Sequence, residues 1–337
     1  MRLQPMTPLD ADPRALREED FPRQGSRWDQ LQFVLRYAIL APSNRNTQPW
    51  SFTLGRDQIS IHAESLRWQP VSDPQQRELR ISIGCVLENL LIALQHFGFG
   101  HHVTLCPGTR DASILVQVAV LDRGVTLPDR PSSLFGAIVR RRTHHGRYRA
   151  RAIGASALRR LQQCNVDADL RLLLTQDAAI KRAAYELMLT GEALGLADAK
   201  YREELAECIA AGNFGAPWLL SVAQQFALAH LGARLGDPRG GRKSLQSSPV
   251  FGLISGSNGT GDAQIRAGQL LERLYLTATL QGLSLQPVSQ LLEFERVKAG
   301  FSRLFRAGGV PIIPFRLGYA DASGRLTPRR RLGEVMR

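Results

Sequence analysis

The feature that most constrains the fold of this chain is an internal repeat. Segment 81–98 aligns without gaps with segment 265–282, and both segments end at a glycine. Apolar residues at 83, 87, 90, 91 and 94 have helical spacing, and a terminal glycine is typical of a helix C-terminus. The repeat therefore predicts two equivalent core helices in two similar α+β halves, arranged like a homodimer joined into one chain. The residues that coincide are Ile81/Ile265, Gly84/Gly268, Leu87/Leu271, Glu88/Glu272, Leu90/Leu274 and Gly98/Gly282.

Gly84 and Gly268 stand at the same early position of the two predicted helices. A glycine at such a position lets another backbone approach closely, and we favour that interpretation over a ligand contact.

The β-rich runs and turn residues divide the chain in two. We predict a first half over 1–130 and a second half over 131–337, with the boundary near Pro128–Ser133, where proline and serine cluster. The helical, charge-mixed region from Ala178 to about Asp237 has no counterpart in the first half, and Pro238–Ser248 is rich in glycine, serine and arginine. We interpret about 178–248 as a lid or insertion. The predicted strands are Trp50–Leu54, Ile59–His62, Ile114–Leu121, Leu170–Leu174, Val250–Ile254 and Ile312–Leu317.

The charge of the chain is strongly positive, at +13 over 337 residues. Nucleic-acid binding is one source of such charge. Only four residues are lysines, however, and the arginines are dispersed along the chain, which favours a solvated surface. A small phosphorylated ligand stays open, because the guanidinium fork binds phosphate in bidentate fashion.

Membrane spans and a signal peptide are not expected. The longest apolar stretches, such as Val250–Ile254, fall far short of the roughly 18 residues that cross a bilayer. The first 27 residues have no continuous apolar run. The four cysteines are far apart and form no Cys-x-x-Cys pair, which is typical of a reducing compartment. We therefore expect a cytoplasmic protein without disulfides or metal.

Three segments could carry chemistry. The loop 41–50 presents several neutral polar side chains before a strand, and by itself it reads as a polar turn. Segment 138–148 gathers arginines around a threonine, as in a solvated basic turn or in a phosphate site. A third basic group, Arg329–Arg331, follows the last predicted strand in what is either a disordered tail or a ligand contact.

Taken together, these segments resemble the nitroreductase family of FMN enzymes. The resemblance rests on Ala-Pro-Ser-x-x-Asn-x-Gln-Pro-Trp at 41–50, Arg-Arg-Thr at 141–143 and the terminal Arg-Arg at 329–330, and it covers nearly the whole chain. The fused halves, Arg77-Glu78-Leu79 before the first core helix and segment 282–290 look most like the Acg-like subgroup. The resemblance implies a nitroreductase-like α+β pseudo-dimer with an extra helical lid in the second half.

The same resemblance implies FMN as cofactor and a set of contacts from both halves. The basic segment would hold phosphate and ribityl, the tail would close over the phosphate, and segment 287–290 would pass the isoalloxazine ring. The implied residues are Pro42, Ser43, Asn44, Asn46, Gln48, Arg141, Arg142, Thr143, His145, Pro287, Val288, Ser289, Gln290, Arg329 and Arg330.

Each complementary motif occurs once, so we expect one FMN per chain and a degenerate symmetry-related site. His145 departs from the family, which usually has a further cation near this position. A histidine is charged only part of the time near neutral pH, so phosphate affinity is expected to be lower or pH-dependent.

Two functions follow from the resemblance. The first is NAD(P)H-dependent reduction of an acceptor such as a nitroaromatic or quinone, in which the flavin supplies the chemistry and no catalytic side chain is needed. The second is storage of FMN beneath the lid, with little reductase activity. Nucleic-acid binding is a distant third, and a dinucleotide-binding turn at 256–261 is not favoured because the glycine spacing differs from Gly-x-Gly-x-x-Gly. We expect a monomer that acts as a pseudo-dimer, with further dimerisation open.

Overall fold

A computed structural model describes residues 12–123, 131–214, 247–305, 308–321 and 327–337 of the chain. The predicted insertion is described only to residue 214 and from 247 onward. Most of the predicted loop Pro238–Ser248 and part of the predicted boundary Pro128–Ser133 lie outside the described residues.

Eight helices and eight strands form the described fold. The helices are α1 (Arg27–Ala38), α2 (Arg77–His96), α3 (Phe135–Ile138), α4 (Ala155–Gln162), α5 (Ala178–Ala197), α6 (Ala199–Ala210), α7 (Gly261–Leu280) and α8 (Glu295–Phe305). The strands are β1 (Trp50–Leu54), β2 (Gln58–Ala63), β3 (Phe99–Leu105), β4 (Ile114–Arg123), β5 (Leu170–Thr175), β6 (Val250–Gly256), β7 (Leu283–Pro287) and β8 (Val310–Tyr319).

Two antiparallel four-stranded sheets repeat the same order of strands. The first sheet is ordered β1-β2-β4-β3 and the second β5-β6-β8-β7. Each sheet therefore places its third strand, which follows the long core helix, at an edge. A single cluster of buried apolar side chains extends through both sheets and both core helices. The two equivalent α+β units predicted by the repeat are confirmed at this level, whereas the boundary at residue 130 stays a prediction.

Helices α2 and α7 pack against each other at the centre of the molecule, and each has 20 residues. They cross at the paired glycines. A Cβ on Gly84 would overlap the carbonyl oxygen of Ile265, and a Cβ on Gly268 would overlap that of Ile81. The close backbone approach predicted for both glycines is confirmed. Gly98 and Gly282 follow the two helices with φ of 84° and 68°, as expected for glycine at a helix C-terminus.

All six predicted strands are present, with ends that differ by a few residues. Strand β3 was missed because the adjacent His101 and His102 interrupt its alternation. Strand β7 does alternate between apolar and polar residues, but it has only five residues and ends at Pro287, so the pattern is too short to stand out. Segment Arg77–Leu79 was predicted to precede the first core helix, but it forms the first turn of α2. This helix is long and apolar enough to cross a membrane, yet most of it is buried within the protein.

Within the described residues, the second half has helices α5 and α6 between β5 and β6, where the first half has a short turn between β1 and β2. The C-terminal tail crosses to the first half. The amide of Phe52 donates to Val335 O at 2.7 Å, and the amide of Arg337 donates to Phe52 O at 2.9 Å. The tail is thereby fixed beside β1 and carries Arg329 between the halves.

Candidate functional site

A cavity of about 470 Å³ lies between the two halves. This volume is in the range of sites that enclose small molecules and cofactors. Its wall is formed by the loop 42–46, by α2 and α7, by segments 141–145 and 286–290, by α5 and α6, and by the C-terminal tail. Twelve of the fifteen predicted residues line it: Pro42, Ser43, Asn44, Asn46, Arg141, Arg142, Thr143, His145, Pro287, Ser289, Gln290 and Arg329.

The loop from the first half has an unusual backbone. Arg45, Asn46 and Gln48 all have positive φ, of 45°, 54° and 50°. Such conformations are costly for residues other than glycine, and they persist only where surrounding bonds hold them. Here the Ser43 hydroxyl accepts from the Gln48 amide at 2.9 Å, and the Asn44 amide donates to the Ser82 hydroxyl at 3.2 Å. The loop is therefore held in one shape against α2.

Asn46 joins this loop to elements from the second half. Its side-chain oxygen accepts from Arg329 Nη1 at 2.7 Å, and its side-chain nitrogen donates to Asn213 O and Pro328 O, each at 3.0 Å. The Asn/Gln loop and the tail arginine therefore contact each other at the cavity, which the sequence analysis did not predict.

Four guanidinium groups gather at one side of the cavity, from Arg14, Arg141, Arg142 and Arg329. Burial and the charges of Arg141 and Arg142 lower the pKa of Arg14. Burial, Arg141 and Arg14 hold the pKa of Arg329 well below its ordinary value. Among the described residues, the buried Nε of Arg329 has no hydrogen-bond partner. A bound anion would relieve this repulsion between like charges.

Arg141 is the most buried member of the group, at 4% exposure. Its Nη2 donates to Leu40 O at 2.9 Å, and its Nε lies 3.5 Å from Glu272 Oε1 on α7. Its guanidinium also stacks over the ring of Tyr275, 5.1 Å from the centroid. Burial raises the pKa of Glu272 to about 7, although the charge of Arg141 opposes the rise. Arg141 therefore connects the cavity wall to the core helix, while Arg142 stays exposed.

Two further side chains of the basic segment are held by polar neighbours. The Thr143 and Tyr275 hydroxyls lie 3.1 Å apart, and a bridge between Thr143 and Leu285 aligns the segment with β7. His145 contacts Gln286. The surrounding protein atoms, Arg316 and His144 lower the pKa of His145. These effects favour the neutral imidazole, so His145 does not supply the further cation that the family resemblance implies near this position.

Three predicted residues lie outside the cavity lining. Val288 is fully buried, and its amide donates to Pro314 O at 2.9 Å. Gln48 accepts from the Arg330 amide at 2.9 Å. Arg330 itself donates to Glu64 Oε2 at 2.7 Å and to two backbone carbonyls of the first half, so its guanidinium anchors the tail instead of closing over a phosphate.

The side of the cavity nearest α5 and α6 is rich in carboxylates. Glu78, Glu192 and Glu293 line it. The Tyr201 hydroxyl donates to Glu293 Oε2 at 3.0 Å, and burial raises the pKa of Glu293. Arg45 donates to Glu204 of α6 at 3.1 Å, which ties the loop of the first half to the inserted helices.

Sequence reasoning missed several lining residues, above all Tyr275, Cys85 and Arg14. The repeat contained a usable signal for two of them. In the repeat, Tyr275 aligns with Leu91, and Cys85 aligns with Gln269. The two repeated helices therefore differ in residue type at positions where Tyr275 and Cys85 line the cavity. Arg14 stands in the N-terminal segment, which carried no recognisable motif.

A second cavity of about 550 Å³ occupies the pseudo-symmetric position. It is lined by Leu91, Val103 and Gln269, the repeat equivalents of Tyr275, Pro287 and Cys85. Its cations are paired with acids. Arg266 Nε lies 2.9 Å from Asp167 and its Nη2 3.3 Å from Asp169, and Arg273 lies 2.9 Å from Glu88. This cavity therefore does not share the excess of positive charge found in the first.

No protein-family profile matches the chain. Curated relatives match over nearly the full length. A protein of Mycobacterium tuberculosis H37Rv, provisionally named as an NAD(P)H nitroreductase, is 28% identical over 328 residues, covering 91% of each chain. A Serratia protein with a similar provisional name is 23% identical over 332 residues, covering 89% of this chain and 91% of its own. These matches confirm the resemblance to the nitroreductase family, whereas the Acg-like subgroup stays a prediction.

Among solved structures, an FMN- and NADPH-dependent nitroreductase from a Sphigopyxis species is 17% identical, with a TM-score of 0.43 over 60% of this chain and 96% of its own. A nitroreductase with bound FMN from Bacteroides fragilis is 14% identical, with a TM-score of 0.35 over 58% of this chain and 91% of its own. These scores are too low to establish a shared fold by themselves.

Proposed function

We propose that this chain binds one FMN in the cavity between its halves and acts as an NAD(P)H-dependent oxidoreductase. The observation that carries the proposal is the group of four arginines at one side of a cavity, where burial and the neighbouring arginines lower the pKa of Arg14 and of Arg329. The phosphate of FMN is an anion that such a group would bind with charge-assisted hydrogen bonds. The chemistry of the group fits the cofactor that the family resemblance implies.

The residues of the chain would divide the work of binding. Arg14, Arg142 and Arg329 would hold the phosphate, with Arg141 adding charge from behind. The Thr143 hydroxyl and the loop 42–46 would contact the cofactor from opposite halves, and Pro287, Ser289 and Gln290 would lie along the ring. When bound, FMN supplies hydride and electron transfer between a reduced nicotinamide and an acceptor such as a nitroaromatic or quinone.

The paired charges of the second cavity support a count of one flavin per chain. Asp167 and Asp169 occupy its rim and neutralise Arg266. A phosphate there would have to displace a carboxylate from an existing ion pair, at a cost in both desolvation and attraction.

Flavin titration of two neighbouring arginine variants tests the binding site. Arg142→Met removes a lining guanidinium, and Arg140→Met removes an exposed one that donates to Gly136 O outside the cavity. A charge-assisted bond is worth about 1.5–3 kcal/mol, so R142M should weaken FMN binding roughly 10- to 150-fold. R140M should bind like the wild type. Equal losses in both variants, or in neither, would place the phosphate elsewhere.

Storage of FMN is the second candidate, and the position of α5 and α6 favours it. Both helices line the cavity, and Gly191 of α5 approaches the carbonyl of Gln290 so closely that a Cβ would lie 2.7 Å from it. The Arg45–Glu204 ion pair, with 10% and 8% side-chain exposure, would hold α6 over the cofactor.

Anaerobic reduction of bound FMN separates the two candidates. If the protein is a reductase, NADH or NADPH should bleach the bound flavin within seconds. Glu204→Gln should leave the rate of flavin reduction unchanged. If the protein stores FMN, either nucleotide should bleach the bound flavin slowly, whereas dithionite should bleach it readily. In that case E204Q should speed both reduction by nucleotide and release of FMN, because α6 loses its ionic tie to the first half.

A further inference from the structure

A buried arginine beside the cavity belongs to no predicted motif. Arg316 lies in the middle of β8, within an otherwise apolar run, and is 1% exposed. Its guanidinium stacks over Tyr148, 5.0 Å from the ring centroid. Burying a cation costs free energy of desolvation unless polar groups compensate for it. The polar contacts of Arg316 therefore indicate its role.

Arg316 stands directly opposite Gln286 in the β7–β8 pairing. Its Nε donates to Gln286 Oε1 at 2.6 Å, and its Nη2 donates to the backbone oxygens of His145 and Gly146 at 3.3 and 3.2 Å. Arginine has donors only, so the oxygen of the Gln286 amide must face it. The amide nitrogen of Gln286 then lies 3.0 Å from His145 Nδ1.

This orientation decides the protonation of the imidazole. The Gln286 nitrogen is a donor, so His145 Nδ1 must accept and carries no proton. The single ring proton of a neutral histidine is then on Nε2. A second proton on Nδ1 would set two donors against each other at 3.0 Å. Burial and the charges of Arg316 and His144 also disfavour a positive charge on this ring, and the pKa of His145 is lowered accordingly.

We infer that Arg316 and Gln286 hold His145 as the neutral Nε2–H tautomer, so that the chain offers its cofactor a hydrogen-bond donor without a positive charge. The role of His145 toward FMN rests on the proposed function, whereas its tautomer does not. In the first half, the residues equivalent to Gln286 and Arg316 are His102 and Ala119, which stand opposite each other in the β3–β4 pairing. Alanine therefore occupies the position of Arg316. The trio is therefore a feature of one cavity and not of the repeated fold.

Ring-nitrogen NMR of ¹⁵N-labelled protein tests the tautomer without cofactor, and His145→Asn identifies the signals. We expect one protonated and one bare nitrogen from pH 6 to 8, with the proton on Nε2. Gln286→Glu replaces the donor with a carboxylate, so His145 should then take up a second proton at neutral pH. Gln281→Glu is the matched control and should leave the His145 signals unchanged, because Gln281 directly follows α7 and its side chain contacts Arg160 and Thr277.

FMN titration of the same variants tests the effect on the cofactor. The ratio of dissociation constants between H145N and the wild type should stay constant from pH 6 to 8, whereas Q286E should show a pH-dependent affinity. A proton on Nδ1, or a doubly protonated ring in the wild type at pH 7, would overturn the inference. If no variant or wild type binds FMN, the proposed function fails, but the NMR result still decides the tautomer.

Discussion

Replacing Arg141 with methionine removes one partner of the most buried ion pair in the site. Glu272 is 0% exposed and lies on the central helix α7, with Arg141 Nε 3.5 Å away. Removing one partner of a buried pair costs about 3–5 kcal/mol, because the other charge is left in a medium of low polarity. Total stabilities of proteins are about 5–15 kcal/mol, so the loss should be large.

The loss of stability in Arg141→Met should depend on pH, because Glu272 becomes neutral when it takes up a proton. Its pKa is raised from 4.5 to about 7 by burial. In the wild type the folded state therefore holds this proton more tightly than the unfolded state, and stability from this group falls as pH rises from about 4.5 to 7 and is then constant. Without Arg141 the pKa rises further, so the fall continues above pH 7 by about 1.4 kcal/mol per pH unit.

Urea denaturation at pH 6, 7 and 8.5 measures this difference. The gap in the free energy of unfolding between the wild type and Arg141→Met should widen by about 2 kcal/mol from pH 7 to 8.5. Arg142→Met is the control, since its exposed side chain should change stability by less than about 0.5 kcal/mol at any pH. Adding Glu272→Gln to R141M should abolish the extra pH dependence. A gap that stays constant with pH, or an equal loss in R142M, would refute the reasoning.

Other predictions concern the packing of the halves and the tail. Gly84→Ala should destabilise by at least about 1–3 kcal/mol, because its Cβ would overlap the Ile265 carbonyl. Thermal denaturation should show no loss for Gly136→Ala, whose Cβ would meet nothing within 4 Å. Arg330→Met should release the tail from Glu64, which limited proteolysis would detect as faster cleavage after residue 327. It should also weaken FMN binding less than Arg329→Met does, and the opposite order in a flavin titration would contradict the assignment of the two arginines.

The repeat and the strand patterns were sufficient to predict the paired core helices, the glycine crossing and six of the eight strands. These features depend on local periodicity and on close packing, which leave a regular mark in the sequence. Strand β3 was missed because two adjacent histidines interrupt its alternation, and β7 because its five residues are too few for periodicity to identify. The equivalent order of the two sheets arises from pairing between distant segments, which no single stretch of sequence records.

The site was predictable where a motif places a side chain and unpredictable where only packing does. Twelve of the motif residues line the cavity. Arg330 and Val288 belong to the same motifs but do not line the cavity. The Arg330 guanidinium donates to Glu64, and the Val288 amide donates to the Pro314 carbonyl. Whether such a group is available to a ligand or bonds to another protein group depends on contacts between distant parts of the chain. Arg316 shows the converse, since its role follows only from the β7–β8 register that sets it opposite Gln286.

Titration of the apoprotein with FMN, followed by flavin fluorescence, tests most directly the claim that one flavin lies between the halves. The end point should be one FMN per chain, because Arg14, Arg142 and Arg329 serve the first cavity while Asp167 and Asp169 neutralise the second. An end point of two flavins, or the absence of saturable binding, would contradict the account.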